Sequence, residues 1–278
     1  MKKFTAIFAI FAMAGIAIAQ NRSIKFENKT FEELKKQAQK EGKMIFFDVA
    51  TDPCGPCRVM ETKVFTKDSV ADFFNAHFAS AKLNDEEGEG VKFVEENNIR
   101  AFPTYLFFSA DGQLMDIVTG ARSAEDFLNI GKNALDPEKG LNFLDKEYER
   151  GNRSPKFLKE YLKKLADAYL PYQNILEEFF KAENDPYSEN SWEVIRNYTD
   201  PDSKYFKFLV ENREKYKSLY GKEVDSTIKL TTLRAAEKRI QISNFLLERI
   251  MPVMVAFIAI LVGIFIGIRK LIRFAKKR

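Results

Sequence analysis

"DPCGPCRVM", residues 52–60, holds both cysteines of a 278-residue chain. Cys54 and Cys57 follow the run "KMIFFDVA", whose continuous apolar character broken by one acid reads as a central strand buried on both faces. They precede "CRVMETKVF", in which Val59, Met60, Val64 and Phe65 can line one side of a helix. The pair therefore sits at a strand-to-helix junction. Three chemistries compete for it. A zinc site needs four ligands, and beyond the cysteines the chain has a single histidine, His77, so no metal is expected. A structural bridge across two intervening residues closes a very small loop and gains little chain entropy. A redox pair needs one thiol at a helix N-terminus, where N–H groups and the helix dipole favour thiolate, and a second thiol close enough to resolve a mixed disulfide. In that reading Cys54 attacks and Cys57, one turn deeper, resolves. Gly55 admits a partner chain, and Pro56 removes a donor within the first turn, where helices tolerate it.

Outward from the pair, the pattern alternates. "TFEELKKQAQKEGK" opens with Thr30 and has Glu33 three residues on, a capping box, and Gly42 ends the helix. "SVADFFNAHF" reads as a helix, "ASAKLN" as a strand and "EGVKFVEENNI" as a helix. "TYLFFSADGQLMDIVTG" reads as two strands turning at Asp111-Gly112, and "SAEDFLNIGKNAL" as a closing helix capped by Ser123. This order predicts an α/β domain with a mixed central sheet over residues 20–135.

From Asp136-Pro137 strand runs stop, and helical spacing broken at Gly151 to Pro155, Asp185-Pro186 and Asp200-Pro201 predicts an all-α extension over 136–248. Its apolar stripes and Trp192 are expected to be core. The chain starts with Lys2 and Lys3, an apolar run and Ala17-Ile18-Ala19, the pattern of a signal peptide over 1–19. Near the other end, Ile250 to Ile268 carries no charge and at about 1.5 Å per residue spans the roughly 30 Å hydrocarbon core, so a transmembrane helix is expected over 249–268. The basic tail 269–278 then faces the cytoplasm, with the bulk of the chain outside. Lys+Arg 44 against Asp+Glu 40, interspersed through the middle, does not suggest a nucleic-acid surface.

"IFFDVATDPCGPCR" resembles the central strand and Cys-Gly-Pro-Cys active site of the thioredoxin family, with Asp48 six residues before the first cysteine. "AKLN" with Lys82 is similar to the family's next strand, and "IRAFPTYLFF" to its cis-proline strand, which makes Pro103 the expected cis residue, preceded by Phe102. The resemblance covers roughly residues 24–135 and implies a thioredoxin fold and protein-disulfide oxidoreductase activity without a cofactor. It implies that Cys54 and Cys57 form a redox disulfide, and that Asp48, buried beneath them with Lys82 nearby, takes the proton from Cys57. Pro103 would complete the catalytic set, with Phe102, Pro53, Gly55 and Pro56 on the substrate face. One departure stands out: where the family has Trp before the first cysteine and an aromatic earlier in the loop, this chain has Pro53 and Ala50. "VMETKVFTKDSVADFFN" resembles the branch found in bacterial envelope proteins. The implied setting is the bacterial inner membrane with the catalytic domain in the periplasm, disulfide-containing envelope proteins as partners and a membrane electron donor. The competing expectation is a binding or chaperone module without redox turnover.

Overall fold

The computed structural model describes residues 22–275, so the signal-peptide reading of 1–19 and the last three residues of the basic tail lie outside the described residues. The described chain divides into two compact units between Phe179 and Phe180.

In the first unit five strands form one sheet: β1 (Phe26–Glu27), β2 (Met44–Ala50), β3 (Phe78–Asn84), β4 (Thr104–Phe108) and β5 (Leu114–Thr119), ordered β1-β3-β2-β4-β5. β1, β3 and β2 run parallel, and β4 and β5 antiparallel to their neighbours. This is the mixed sheet that the alternating pattern implied. Central β2 is buried from Ile45 to Val49, which explains why its sequence lacks a polar face.

Helix α1 (Phe31–Glu41) begins at the Thr30–Glu33 capping box and ends where Gly42, at φ 65°, takes the left-handed cap conformation. Helix α2 (Gly55–Val59) runs on through a wider π turn, Met60–Val64, and α3 (Asp68–His77) follows. Helices α4 (Glu89–Glu96) and α5 (Ala124–Ala134) complete the layers, with Ser123 capping α5 through the Asp126 N–H. Phe46, Phe65, Phe74, Phe78, Tyr105, Phe107 and Phe127 pack one face of the sheet against these helices, and Phe74 stacks on Phe127 at 4.7 Å. Gly131 of α5 permits that approach, since a Cβ there would lie 2.9 Å from the Phe73 and Phe74 rings.

The helices after residue 136 start with α6 (Leu141–Glu149), α7 (Pro155–Asp167) and α8 (Gln173–Ala182). The compact unit continues past the change in sequence character at Asp136-Pro137. Buried Asp116 of β5 accepts the Leu141 N–H at 3.1 Å and pairs with Lys164 of α7 at 2.5 Å, fastening α6 and α7 to the sheet.

The second unit contains α9 (Glu189–Tyr198), α10 (Lys204–Glu211), α11 (Arg213–Tyr220) and α12 (Glu223–Phe245). Its core gathers Trp192, Ile195, Phe206, Leu209, Tyr216 and Val224, so Trp192 is packed, stacked on Tyr220 at 5.1 Å. A π turn, Leu246–Ile250, joins α12 to α13 (Met251–Ala275). Among the described residues, the helix over Glu223–Phe265 is long and apolar enough to cross a membrane, by length and composition.

Candidate functional site

β2 delivers its C-terminal end to the cysteines, and α2 starts from them. Cys54 is the N-cap of α2, in extended conformation, and its Sγ accepts the Cys57 N–H at 3.1 Å. Cys54 and Cys57 are joined as a disulfide, with their Cα atoms 5.3 Å apart. The two sulfurs are unequally placed: Cys54 is half-buried at the mouth of a cleft, while Cys57 is only 5% exposed. Pro53, Gly55 and Pro56 are exposed around them, and a Cβ built on Gly55 would touch nothing within 4 Å. Pro56 lies in the first turn of α2, where no intrahelical donor is lost.

The cleft, about 650 Å³, is lined by Cys54, Cys57, Arg58, Glu61, Lys82 and Glu87 among others. Antiparallel register sets Thr104 opposite Val49, so Phe102 and Pro103 come to the same end of the sheet as the cysteines. The Phe102-Pro103 bond is cis, and so is Asp52-Pro53. Pro103 is buried, Phe102 half-buried, and the Pro103 carbonyl accepts the Gly120 N–H at 2.7 Å.

Asp48 lies on β2 beneath this surface, 1% exposed, and its Oδ1 has no hydrogen-bond partner in the protein. Burial pushes its pKa up to about 7; the Lys82 ammonium works against that rise and the Glu61 carboxylate adds to it. Lys82 is the residue paired with Asp48 in the β2–β3 register, but its Nζ lies 4.0 Å from Asp48 Oδ2. Its closer partner is Glu61, with which it forms a tight ion pair at the cleft rim. The Lys82 ammonium also lies 4.8 Å from the centre of the Phe26 ring. Thus Lys82 moderates Asp48 from a distance rather than neutralising it by contact.

A family model for a thioredoxin-like domain matches residues 31–135. This part of the chain is a thioredoxin-like domain. Among similar proteins, the thiol:disulfide interchange protein DsbD of Pseudoalteromonas atlantica is 31% identical over 108 residues, which is 38% of this chain and 18% of the relative. Thioredoxin-2 of Pyricularia oryzae is 36% identical over 86 residues, 31% of this chain and 46% of the relative. The chain thus spans less than half the length of these two curated relatives. A candidate disulphide-isomerase from Bacteroides thetaiotaomicron, solved in solution, is 36% identical, with 42% of this chain and 98% of that one covered at a TM-score of 0.40.

Two residues of the thioredoxin-like domain's site escape a reading of sequence. Glu61 stands four residues after Cys57, the spacing that brings a helical side chain back to the same face, so its position could have signalled it. Tyr105 sits across β4 from Asp48, and only the strand register reveals that. His77 lies apart from the cleft, at the end of α3, with its ring 4.6 Å from that of Phe73.

Proposed function

We propose that the protein is a thiol:disulfide oxidoreductase that reduces disulfides in envelope proteins. The observation that carries this reading is the asymmetric pair, with Cys54 at the cleft mouth on a helix N-terminus and Cys57 buried behind it. In the reduced protein the Cys54 thiolate, favoured by the N–H groups of α2, attacks one sulfur of a substrate disulfide. The Cys54–substrate S–S bond forms, and the other substrate sulfur leaves as a thiolate that takes a proton from solvent. Cys57 then gives its proton to the Asp48 carboxylate and attacks Cys54 Sγ. The intramolecular S–S bond forms and the second substrate thiol is released. Two electrons pass from the dithiol to the substrate, and a dithiol-bearing donor must restore Cys54 and Cys57 by the reverse exchange.

Asp48 suits the proton step because a carboxyl with a pKa of about 7 both accepts and returns a proton near neutrality. The Phe102-Pro103 segment, at the same sheet end, offers backbone for an extended substrate segment to pair with. Exposed Pro53, where the family carries an indole, presents a smaller substrate face and favours a narrower set of partners.

The same proposal places the domain in the bacterial periplasm, tethered to the inner membrane by the helix through Phe265, with a membrane protein as electron donor. Its support is the uncharged run Ile250 to Ile268, the basic residues after it and the signal-type N-terminus. Thiol:disulfide interchange is also the activity in the name of the DsbD relatives.

Trapping tests the reading. With Cys57→Ser, substrates should accumulate on Cys54 as mixed disulfides that reducing agent releases. A Cys57→Ser chain that traps nothing in cells where the wild type keeps its pair reduced would instead favour a binding module.

A further inference from the structure

We propose that Tyr105 is a positioning residue for Asp48, its hydroxyl donating through one bridging water to the Asp48 carboxylate once Cys57 has to lose its proton. The inference rests on the redox reading above and deepens it.

Three side chains occupy one row across the sheet. Register pairs Asp48 of β2 with Lys82 of β3 on one side and with Tyr105 of β4 on the other. Directly paired residues point to the same face, with Cβ atoms about 5 Å apart. Asp48 is thus flanked by a cation at the cleft rim and a phenol in the interior. Tyr105 is 0% exposed, its ring packed 4.9 Å from Phe127 and 6.1 Å from Phe46.

Its hydroxyl has no protein partner, and neither has Oδ1 of Asp48, the residue paired with it across the sheet. A buried phenol O–H without an acceptor costs about 1–3 kcal/mol, and a buried carboxylate oxygen without a donor costs more. A donor and an acceptor left over in adjacent places on one face satisfy each other through a single water. The phenol can only serve as the donor here, since burial and the neighbouring Asp48 carboxylate both hold its proton far above the ordinary range.

Other charged groups face this row from each packed element. Lys82 approaches from β3 and Glu61 from the turn after α2. Arg122 approaches from the loop after β5, where its N–H donates to Met60 Sδ at 3.2 Å and its Nη2 to the Thr119 carbonyl at 2.8 Å. None of them donates a hydrogen bond to Asp48 Oδ1. Tyr105 is therefore the group placed to stabilise the ionised acid without a competing charge.

The test is a titration of Asp48 in the full-length chain in detergent, by NMR of 13Cγ-labelled aspartate, with the Asp48 signal identified by its loss in Asp48→Asn. Removing the donor in Tyr105→Phe should raise the Asp48 midpoint by about one pH unit, the fold-change expected for one hydrogen bond to a charged group. Tyr105→Leu, which also lacks the hydroxyl, should move it the same way. The pH midpoint for release of a model thiol from a Cys54 mixed disulfide should rise in step. An unchanged or lowered Asp48 midpoint in Tyr105→Phe overturns the proposal, as does a shift in Tyr105→Leu alone, which assigns the effect to packing. The titration does not depend on turnover. A chain without a reversible Cys54–Cys57 couple would remove the redox reading, while the Asp48 midpoint would still decide whether Tyr105 holds it.

Discussion

Buried tyrosines receive opposite treatment in two regions of this molecule. In the helical core of the second unit, Tyr216 is 0% exposed and its hydroxyl donates to the Pro186 carbonyl at 2.6 Å, while Tyr220 donates to the Tyr187 carbonyl at 2.7 Å. Under the cysteines of the thioredoxin-like domain, Tyr105 is equally buried and has no protein acceptor, and Oδ1 of Asp48, paired with it across the sheet, has no protein donor. A satisfied polar group contributes to holding its elements together. An unsatisfied one costs stability, and such groups mark sites whose chemistry needs a group poised between protonation states. The difference sets a satisfied helical core apart from the row of side chains that the proposed proton step uses.

The largest effect should come from the pair itself. Cys54→Ser is expected to reduce disulfide exchange to the level of the uncatalysed reaction, measured by reduction of a model protein disulfide, with the far-UV circular dichroism unchanged. Asp48→Asn should come next, through two readouts. It should slow resolution of the mixed disulfide by roughly 10²-fold, the lower range for a lost acid–base group. It should also stabilise the domain. The folded-state pKa of Asp48 is raised above its unfolded value, so the unfolded chain binds fewer protons between about pH 4 and 7. Stability therefore falls as pH rises through that window and stays low above it. Replacing the acid should recover about 2–4 kcal/mol at pH 8 and nothing near pH 3, measured by hydrogen exchange of the β2 amides.

The tyrosines sharpen the comparison at smaller magnitude. Tyr216→Phe leaves the Pro186 carbonyl without its phenol donor and should cost roughly 1–3 kcal/mol at every pH, followed by fluorescence of Trp192, the one tryptophan of the chain. Tyr105→Phe should cost about 1 kcal/mol, and only above pH 7, where Asp48 is ionised. Equal, pH-independent losses at both positions would erase the distinction between the two regions.

Much of this site was legible in the sequence because its parts are local. The run "IFFDVA" fixes a strand buried on both faces, the cysteines follow it at once, and an apolar stripe at helical spacing follows them. The β2–α2 junction is therefore readable without any long-range contact. The helix caps at Thr30 and Ser123 are likewise local, and both occur as read. Tyr105 was not legible in this way. Within "TYLFF" it looks like one more β-forming core residue, and its relation to Asp48 depends on pairing β4 against β2 in one register. The closer partner of Lys82 is a long-range contact too, since Glu61, in the π turn that continues α2, meets it only once β3 lies beside β2. Nor does the drop in strand character at residue 136 mark the edge of the first compact unit, because Asp116 binds α6 and α7 back onto β5.

The most direct test of redox function is the equilibrium reduction potential of the Cys54–Cys57 pair, titrated in defined thiol buffers in the full-length chain. A reductase with this pair should show one reversible two-electron couple close to thioredoxin's, about −270 mV. A couple near −120 mV would mark an oxidant and contradict the proposed direction of electron flow, and no reversible couple would contradict redox function altogether.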